Sequence, residues 1–354
     1  MMRCSPFSYR APASVEEVAQ ILAAEGSRAM VLGGGTDLVP NMKRRQQTPA
    51  FLVSLRRVAA LRQLQDDGAG IRIGAGMTLA EIAAHPRLRA FGALGRAAAQ
   101  VATTHIRNVG TLGGNLCLDT RCNYYNQNYE WRKAIDFCMK RGTEGGGWPE
   151  KNEGQVCWVA PGSPRCWAVS STDCAPALIA LGAKVTLVSA RETREIDLAA
   201  LYRDDGIEYL DKRPDELLTE VRLGDPTGWR STYWKLRRRE SFDFPVLSLA
   251  AAVRLGEDGT VREARLVFGA VASHPVLAEA TTDLIGHRLD DATIERCADA
   301  AVRLAKPLDN TDFTLGWRKR VARSFVSGAL RELRGDDPAQ LGLIARRQMA
   351  LRVL

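Results

Sequence analysis

The sequence predicts an α+β protein built as two packed units, and three observations carry that expectation. Its 354 residues exceed what one hydrophobic core usually organises. Up to about residue 213 the chain alternates short buried strands, glycine turns and capped helices. Beyond that the strands lengthen and are followed by two helical stretches.

Residues 14–23 (SVEEVAQILA) predict the first helix, with Ser14 at the N-cap, Glu17 at the capping-box position and apolar residues at helical spacing. Residues 28–39 (RAMVLGGGTDLV) run from a short buried strand straight into three glycines. Residues 71–85 repeat the theme, with Thr78 as N-cap and Glu81 three residues later. An Ala-rich helix is expected over 93–102, while 103–117 (TTHIRNVGTLGGNLC) reads as a polar, glycine-punctuated binding loop without regular structure. Residues 171–189 predict a short helix, a glycine stop and a strand. Segments 232–240, 245–259 and 261–272 then predict an antiparallel meander, the last two joined through the turn Glu257-Asp258-Gly259. Helices follow over 291–305 and 315–333. The boundary is expected near 210–217, giving a first unit over 1–213, an insertion over about 116–171, a second unit over 217–330 and a tail over 331–354.

Hydrophobic residues at 45% and charged residues at 25% match ordinary globular proteins and exclude collagen, coiled coil and disorder. No apolar run approaches the roughly 18 residues of a membrane helix, and residues 1–25 lack an apolar signal core. The expectation is a cytoplasmic protein with no membrane partner. The net charge of +8 comes from arginines spread along the chain, with short clusters only at 43–45, 237–239 and 318–320. That pattern reads as a solvated surface rather than a nucleic-acid footprint, and neutralising a bound polyphosphate is the sharper alternative. Four histidines leave little material for a His-rich metal site or a Ser-His-Asp triad; His105, in the binding loop, reads first as a hydrogen-bonded loop histidine. No pair of carboxylates stands out as a catalytic dyad.

Two loops and a group of cysteines carry the chemistry. In Gly33-Gly34-Gly35-Thr36-Asp37, consecutive glycines let backbone N–H groups approach an anion closely, and the Thr hydroxyl adds a donor. A plain strand-to-helix turn is the alternative for this motif alone. Thr111-Leu112-Gly113-Gly114-Asn115 shares the character and adds an amide. Neither loop fits G-x-G-x-x-G, and no G-x-x-x-x-G-K-[ST] occurs, so a dinucleotide held outside the Rossmann and P-loop modes is expected. Six of the eight cysteines (Cys117, Cys122, Cys138, Cys157, Cys166 and Cys174) fall between positions 117 and 174, whereas Cys4 and Cys297 are isolated. Without an export signal, clustered thiols read as metal or cluster ligands before disulfides.

The motifs GGGTDLVPNMK (33–43), IRNVGTLGGN (106–115), TDCAPALIALGAKVTL (172–187), YWKLRRRESFDFPVLSLAAAV (233–253) and PLDNTDFTLGWRKRVARSFVSGAL (307–330) occur in that order. Together they resemble the FAD-binding medium subunit of the xanthine dehydrogenase and molybdenum hydroxylase family, over nearly the whole chain. The resemblance implies a two-lobed, PCMH-type FAD-binding domain followed by an antiparallel-sheet domain of the CO dehydrogenase flavoprotein type. Carried over, Leu32, Gly33, Gly34, Gly35, Thr36, Asp37 and Leu38, with Thr111, Leu112, Gly113, Gly114 and Asn115, hold the FAD diphosphate and ribityl groups. Val101 and Ile106 lie near the flavin ring or adenine, Asp173 binds the cofactor, and Leu217 makes an apolar contact. Lys235 is the basic residue beside the flavin, where a cation stabilises the reduced, anionic form.

The departure from the family pattern is the long insertion between Asn115 and Thr172, which holds Cys122, Cys138, Cys157 and Cys166 with Trp131, Trp148, Trp158 and Trp167. It is similar to the insertion that carries a [4Fe–4S] cluster in 4-hydroxybenzoyl-CoA reductases. Four thiolates on irregular loops beneath bulky aromatics suit a soft metal site. The same sulfurs also suit structural zinc, although zinc usually draws on close C-x2-C pairs, and the tightest spacing here is C-x4-C at 117 and 122. Cys117 and Cys174 read as small buried hydrophobes, with Cys117 the closest rival to Cys122.

The resemblance implies a relay: ferredoxin supplies electrons to the cluster, which passes them to FAD, and thence to a [2Fe–2S] small subunit and a molybdopterin-containing large subunit. In that reading a dimer of heterotrimers reductively dehydroxylates 4-hydroxybenzoyl-CoA, and this chain holds no substrate site. The main alternative is the FAD subunit of an aldehyde or purine hydroxylase delivering electrons to NAD or a quinone, with its cysteine loop only structural. A zinc-stabilised assembly protein is the third.

Overall fold

The computed structural model describes residues 3–66, 68–141, 150–239 and 242–350. Trp148, the Glu240-Ser241 pair of the fourth motif and the last four residues of the tail lie outside them.

The first lobe is a small parallel sheet. Strand β1 (Ser8–Arg10) leads into helix α1 (Val15–Glu25), where Ser14 accepts the Glu17 N–H and Val18, Ala19 and Leu22 are buried. Glu17 takes the Ala13 N–H, so the reciprocal half of the expected box is displaced by one residue. Strand β2 (Ala29–Leu32), helix α2 (Leu38–Lys43) and strand β3 (Phe51–Ser54) complete it, in the sheet order β1-β3-β2.

The second lobe contains strands β4 (Leu64–Asp66) and β5 (Gly70–Gly74), then helices α3 (Leu79–Ala84) and α4 (Gly92–Ala99). Thr78 and Glu81 form the full capping box that their spacing predicts. Residues 103–117 correct the sequence reading: they hold two short helices, α5 (Thr104–Arg107) and α6 (Leu112–Leu116). Thr103 caps the first through the Ile106 N–H, and Thr111 caps the second through the Gly114 N–H. Side-chain capping stabilises a turn whose glycines would otherwise disfavour a helix. The insertion adds helix α7 (Tyr129–Ala134) and a hairpin of β6 (Lys140–Arg141) with β7 (Glu150–Lys151). Helix α8 (Cys174–Ala180), strand β8 (Lys184–Val188), strand β9 (Thr193–Asp197) and strand β10 (Leu217–Gly224) follow.

Sheet membership corrects the expected division at 213–217. Strand β10 pairs antiparallel with both β5 and β8, making it the middle strand of the sheet β4-β5-β10-β8-β9. Its inward residues Leu218, Val221 and Leu223 join the core of the second lobe with Ile73, Leu94 and Leu178. The change of sheet therefore falls between Gly224 and Trp229.

The remaining chain forms the predicted meander: β11 (Trp229–Leu236), β12 (Leu247–Leu255) and β13 (Val261–Gly269), with β14 (Val276–Leu277) at the edge. Helices α9 (Asp291–Ala301) and α10 (Leu315–Arg334) cover it. Trp234 meets Phe325 edge-on at 5.5 Å, and its ring lies where a side chain on Gly328 would be, 2.2 Å from an added Cβ. The tail docks rather than trailing free. Helix α11 (Leu343–Ala350) brings Gln348 to the backbone N–H and C=O of Lys235, at 3.0 and 2.9 Å. Among the described residues, no helix is long and apolar enough to cross a membrane.

Candidate functional site

The two glycine loops are built against each other. The first leaves β2 and turns into α2, where Asp37 accepts from Asn41 Nδ2 at 3.0 Å. The second is stitched to the end of β5: Leu112 N–H reaches Met77 O, Gly113 N–H reaches Ala75 O, and Leu79 N–H reaches Gly110 O, all at 2.8–2.9 Å. A Cβ on Gly34 would stand 2.1 Å from Val109 O, and one on Gly33 would stand 2.8 Å from Thr111 Oγ1. Glycine is needed here for the approach of loop to loop, a closer constraint than approach to a ligand.

Between the loops and strand β10 lies a cavity of about 380 Å³. Gly33, Gly34, Gly35, Thr36, Asp37, Leu38, Val101, Ile106, Thr111, Gly113, Gly114, Asn115, Asp173 and Leu217 all line it. Leu32, Leu112 and Lys235 do not. Leu112 is wholly buried in the lobe core. Lys235 sits one shell behind the cavity wall: its ammonium donates to Asp173 Oδ2 at 2.9 Å and Gln100 O at 3.0 Å. Tyr233 donates to Asp173 Oδ1 at 2.6 Å, so both oxygens of that carboxylate are engaged within the protein. Burial pulls the Lys235 ammonium below its ordinary range, with Asp173 opposing the shift. Asn115 Oδ1 accepts from Thr172 Oγ1 at 2.7 Å and the Cys174 N–H at 3.0 Å, so this carbonyl fixes the start of α8.

Several lining residues come from parts of the chain that no loop motif marks. Arg44, Arg121 and Lys212 bring cationic groups to the cavity, and Phe242 and Phe244 bring exposed rings. Arg121 pairs with Asp37, donates to Asn41 Oδ1 at 3.3 Å and stacks its guanidinium 4.5 Å from the Phe244 ring. Burial lowers its pKa to about 10. The only advance sign of this cationic wall is the cluster at 43–45. Gln47 Oε1, Arg121 Nε and Ser171 Oγ are buried on the cavity wall without hydrogen-bond partners among the described residues. A mostly apolar cavity that carries cations and unmet hydrogen-bonding groups at a few points fits a long ligand with flat rings and an anionic middle, as FAD is.

The insertion folds its sulfurs together. Cys122, Cys138, Cys157 and Cys166 line one small space with Tyr124, Tyr125 and Trp158, all four buried. Local backbone groups serve the sulfurs: the N–H groups of Tyr124 and Tyr125 at Cys122, of Val159, Ala160 and Trp167 at Cys157, and of Ala168 at Cys166, while Cys138 Sγ donates to Lys140 O at 3.3 Å. Cys157 accepts the Cys166 S–H and three N–H groups, which brings its pKa down to about 5. Donation to Cys157, with burial, pushes Cys166 up, and burial, reinforced by the neighbouring Cys138 and Cys157 sulfurs, pushes Cys122 up to about 12. Among the described residues, no three such ligands are gathered as one metal ion would need; the four sulfurs line a space instead. All-sulfur donors with N–H groups aimed at them fit a soft iron–sulfur centre. Cys117 lies elsewhere, on the wall of the larger cavity, and Cys174 is buried at the start of α8. Trp158 packs over Tyr124 at 6.4 Å, Trp131 is 39% exposed, and Trp167 is held by Ser163 at 2.8 Å.

Comparison with known proteins agrees with this architecture. Residues 5–226 match the family described as FAD binding domain in molybdopterin dehydrogenase, and residues 231–333 match the CO dehydrogenase flavoprotein C-terminal domain. The chain is 30% identical over 311 residues to the aldehyde oxidoreductase FAD-binding subunit PaoB of Escherichia coli strain K12, covering 85% of this chain and 91% of that one. It is 24% identical to the carbon monoxide dehydrogenase medium chain of Hydrogenophaga pseudoflava, covering 92% and 96%. The reconstituted CO dehydrogenase of Oligotropha carboxidovorans shares the fold with a TM-score of 0.74 at 24% identity, over 95% of this chain and all of that one.

Proposed function

This chain belongs to the FAD-binding medium subunits of the molybdenum hydroxylase family, and from that premise we propose that it is an electron relay with two centres. Cys122, Cys138, Cys157 and Cys166 hold a [4Fe–4S] cluster, and the cavity between the glycine loops holds FAD. One observation carries the reading: four sulfurs from an irregular insertion meet at one pocket lined with N–H donors, beside the flavin cavity. When bound, a flavin exchanges electrons singly or in pairs and a cluster exchanges them singly. The chain's own work is to bind and insulate. Arg44, Arg121 and Lys212 neutralise the diphosphate, the Asp173–Tyr233–Lys235 network stiffens the cavity floor, and Tyr124 and Trp158 shield the sulfurs from water.

Its partners in this reading are a molybdopterin-containing large subunit and a [2Fe–2S] small subunit, in a dimer of heterotrimers. The insertion favours a ferredoxin-fed complex that reductively removes the hydroxyl of 4-hydroxybenzoyl-CoA. The relatives favour the opposite flow: they are named as aldehyde, nicotinate, carbon monoxide and xanthine enzymes, and an aldehyde or purine hydroxylase would send electrons from substrate through this chain to an acceptor. Anaerobic purification with the partners, followed by metal and flavin analysis and low-temperature EPR, tests the relay. About four irons per chain is expected for one cluster. Ferredoxin-driven reduction of 4-hydroxybenzoyl-CoA without NADH oxidation selects the first direction, and aldehyde or purine oxidation selects the second. Zinc without iron or flavin would sink both.

A further inference from the structure

We infer that the Lys140–Asp119 ion pair is a fixed dipole set across the wall between the thiol pocket and the flavin cavity, positive end toward the sulfurs, biasing electrons toward the thiol site. The inference rests on the two-centre reading above and deepens it by naming residues that set the relative potentials.

The pair spans the partition. Lys140 opens the hairpin strand two residues after Cys138 and lines the thiol pocket, while Asp119 follows α6 and lines the flavin cavity. Their side chains are 0% and 2% exposed and meet at 2.6 Å. The ammonium also donates to Thr120 Oγ1 at 2.7 Å and Gly206 O at 2.9 Å, so all three of its hydrogens have acceptors. Two rings flank it: Tyr125, from the thiol pocket, at 4.6 Å, and Tyr209, from the flavin cavity, at 5.5 Å. Among the described residues lining the thiol pocket, Lys140 is the only basic one. No second cation on that wall shares its role.

Burial makes the placement matter. Charges separated from water interact more strongly and over a longer range, and a buried pair gains little in stability over apolar residues of the same size. A positive charge beside a redox centre favours its reduced, more negative form and raises its potential. A negative charge on the other side disfavours reduction there. Transfer in the favoured direction moves one electron, oxidising the flavin site and reducing the thiol site, with no bond made or broken. The orientation of the pair thus favours outflow from the flavin, the direction of the oxidative reading.

The test uses the complete complex, purified anaerobically, with EPR-monitored titration for the iron–sulfur potential and absorbance for the flavin. The double variant Lys140→Met/Asp119→Asn leaves no buried charge unpaired. It should narrow the gap, the thiol-site potential moving down and the flavin potential up, with iron and flavin content unchanged. Asp119→Asn alone should move both potentials up, the flavin more. An unchanged or widened gap in the double variant, at full cofactor content, overturns the dipole and leaves the two-centre reading standing. Wild-type complex without iron overturns both.

Discussion

The flavin cavity and the thiol pocket are built by opposite means. The cavity is backbone architecture: two glycine loops locked to each other and to β5, with the ligand space left between regular elements. The pocket is side-chain architecture, in which four cysteines on an irregular insertion are turned inward and held by local backbone groups. A site of the first kind is damaged by adding atoms to its frame. A site of the second kind is damaged by changing its ligands, and the frame tolerates the loss.

The sharpest way to separate the two sites is ligand removal. Cys138→Ser and Cys157→Ser should each abolish the bound iron while leaving flavin at full occupancy, measured by metal analysis and absorbance of the same sample. Full iron in either variant would strike that residue from the ligand set, and loss of flavin alongside iron would show that the sites are not built independently. Gly34→Val is the converse experiment. Its side chain would meet Val109 O and Gly110, and forcing atoms into a filled contact costs roughly 1–3 kcal/mol. Flavin per chain should fall well below one, with iron retained; undiminished flavin would break the account of the loop contact.

Glu332→Gln probes a region belonging to neither site. Glu332 accepts from Arg96 Nη1 at 2.8 Å and Trp234 Nε1 at 2.6 Å, joining α4 of the second lobe to β11 and α10. Losing one charged partner of such a network costs roughly 1–3 kcal/mol. Thermal unfolding should shift down by about 2–4 °C per kcal/mol, with iron and flavin content unaltered. A change in either cofactor would mean that the sites depend on how the two sheets dock.

The same contrast explains what the sequence made legible. Ser14, Thr78 and Glu81 announce their helices because capping is local, and the meander from Trp229 to Gly269 follows strand periodicity. The glycine loops are recognisable for the same reason. Strand β10 reads as a strand, but its place in the middle of the earlier sheet depends on pairings with residues far back in the chain. Arg121 and Lys212 escape notice because nothing local distinguishes them from surface residues, and Phe244 lies inside the fourth motif without any sign that its ring faces the cavity. Lys140 is the extreme case, a charge that composition assigns to solvent and the fold buries completely. Cys117 and Cys122 are five residues apart, so spacing alone does not choose between them. The chain leaving α6 sends one to the flavin cavity and the other to the thiol pocket.

The smallest expected effect tests the cavity side of the comparison by pH. Glu216 lines the flavin cavity just before β10, and its carboxylate takes Arg194 Nε at 2.7 Å and Arg194 Nη2 at 3.0 Å, with the Arg213 N–H at 2.7 Å. Burial pushes this carboxyl up, but the Arg194 fork and the Arg213 N–H outweigh it and hold the pKa below its ordinary value. A depressed folded pKa adds stability above the unfolded value of about 4.3, and that contribution disappears as pH falls through the lower folded value. Glu216→Gln should therefore lower the melting temperature at neutral pH, and the difference from wild type should close as the pH is taken below about 4.3. The iron content of the thiol pocket should not follow. A melting difference that stays constant on acidification would show that Glu216 acts through shape rather than charge, and would remove ionic pairing from the account of how the cavity wall is held.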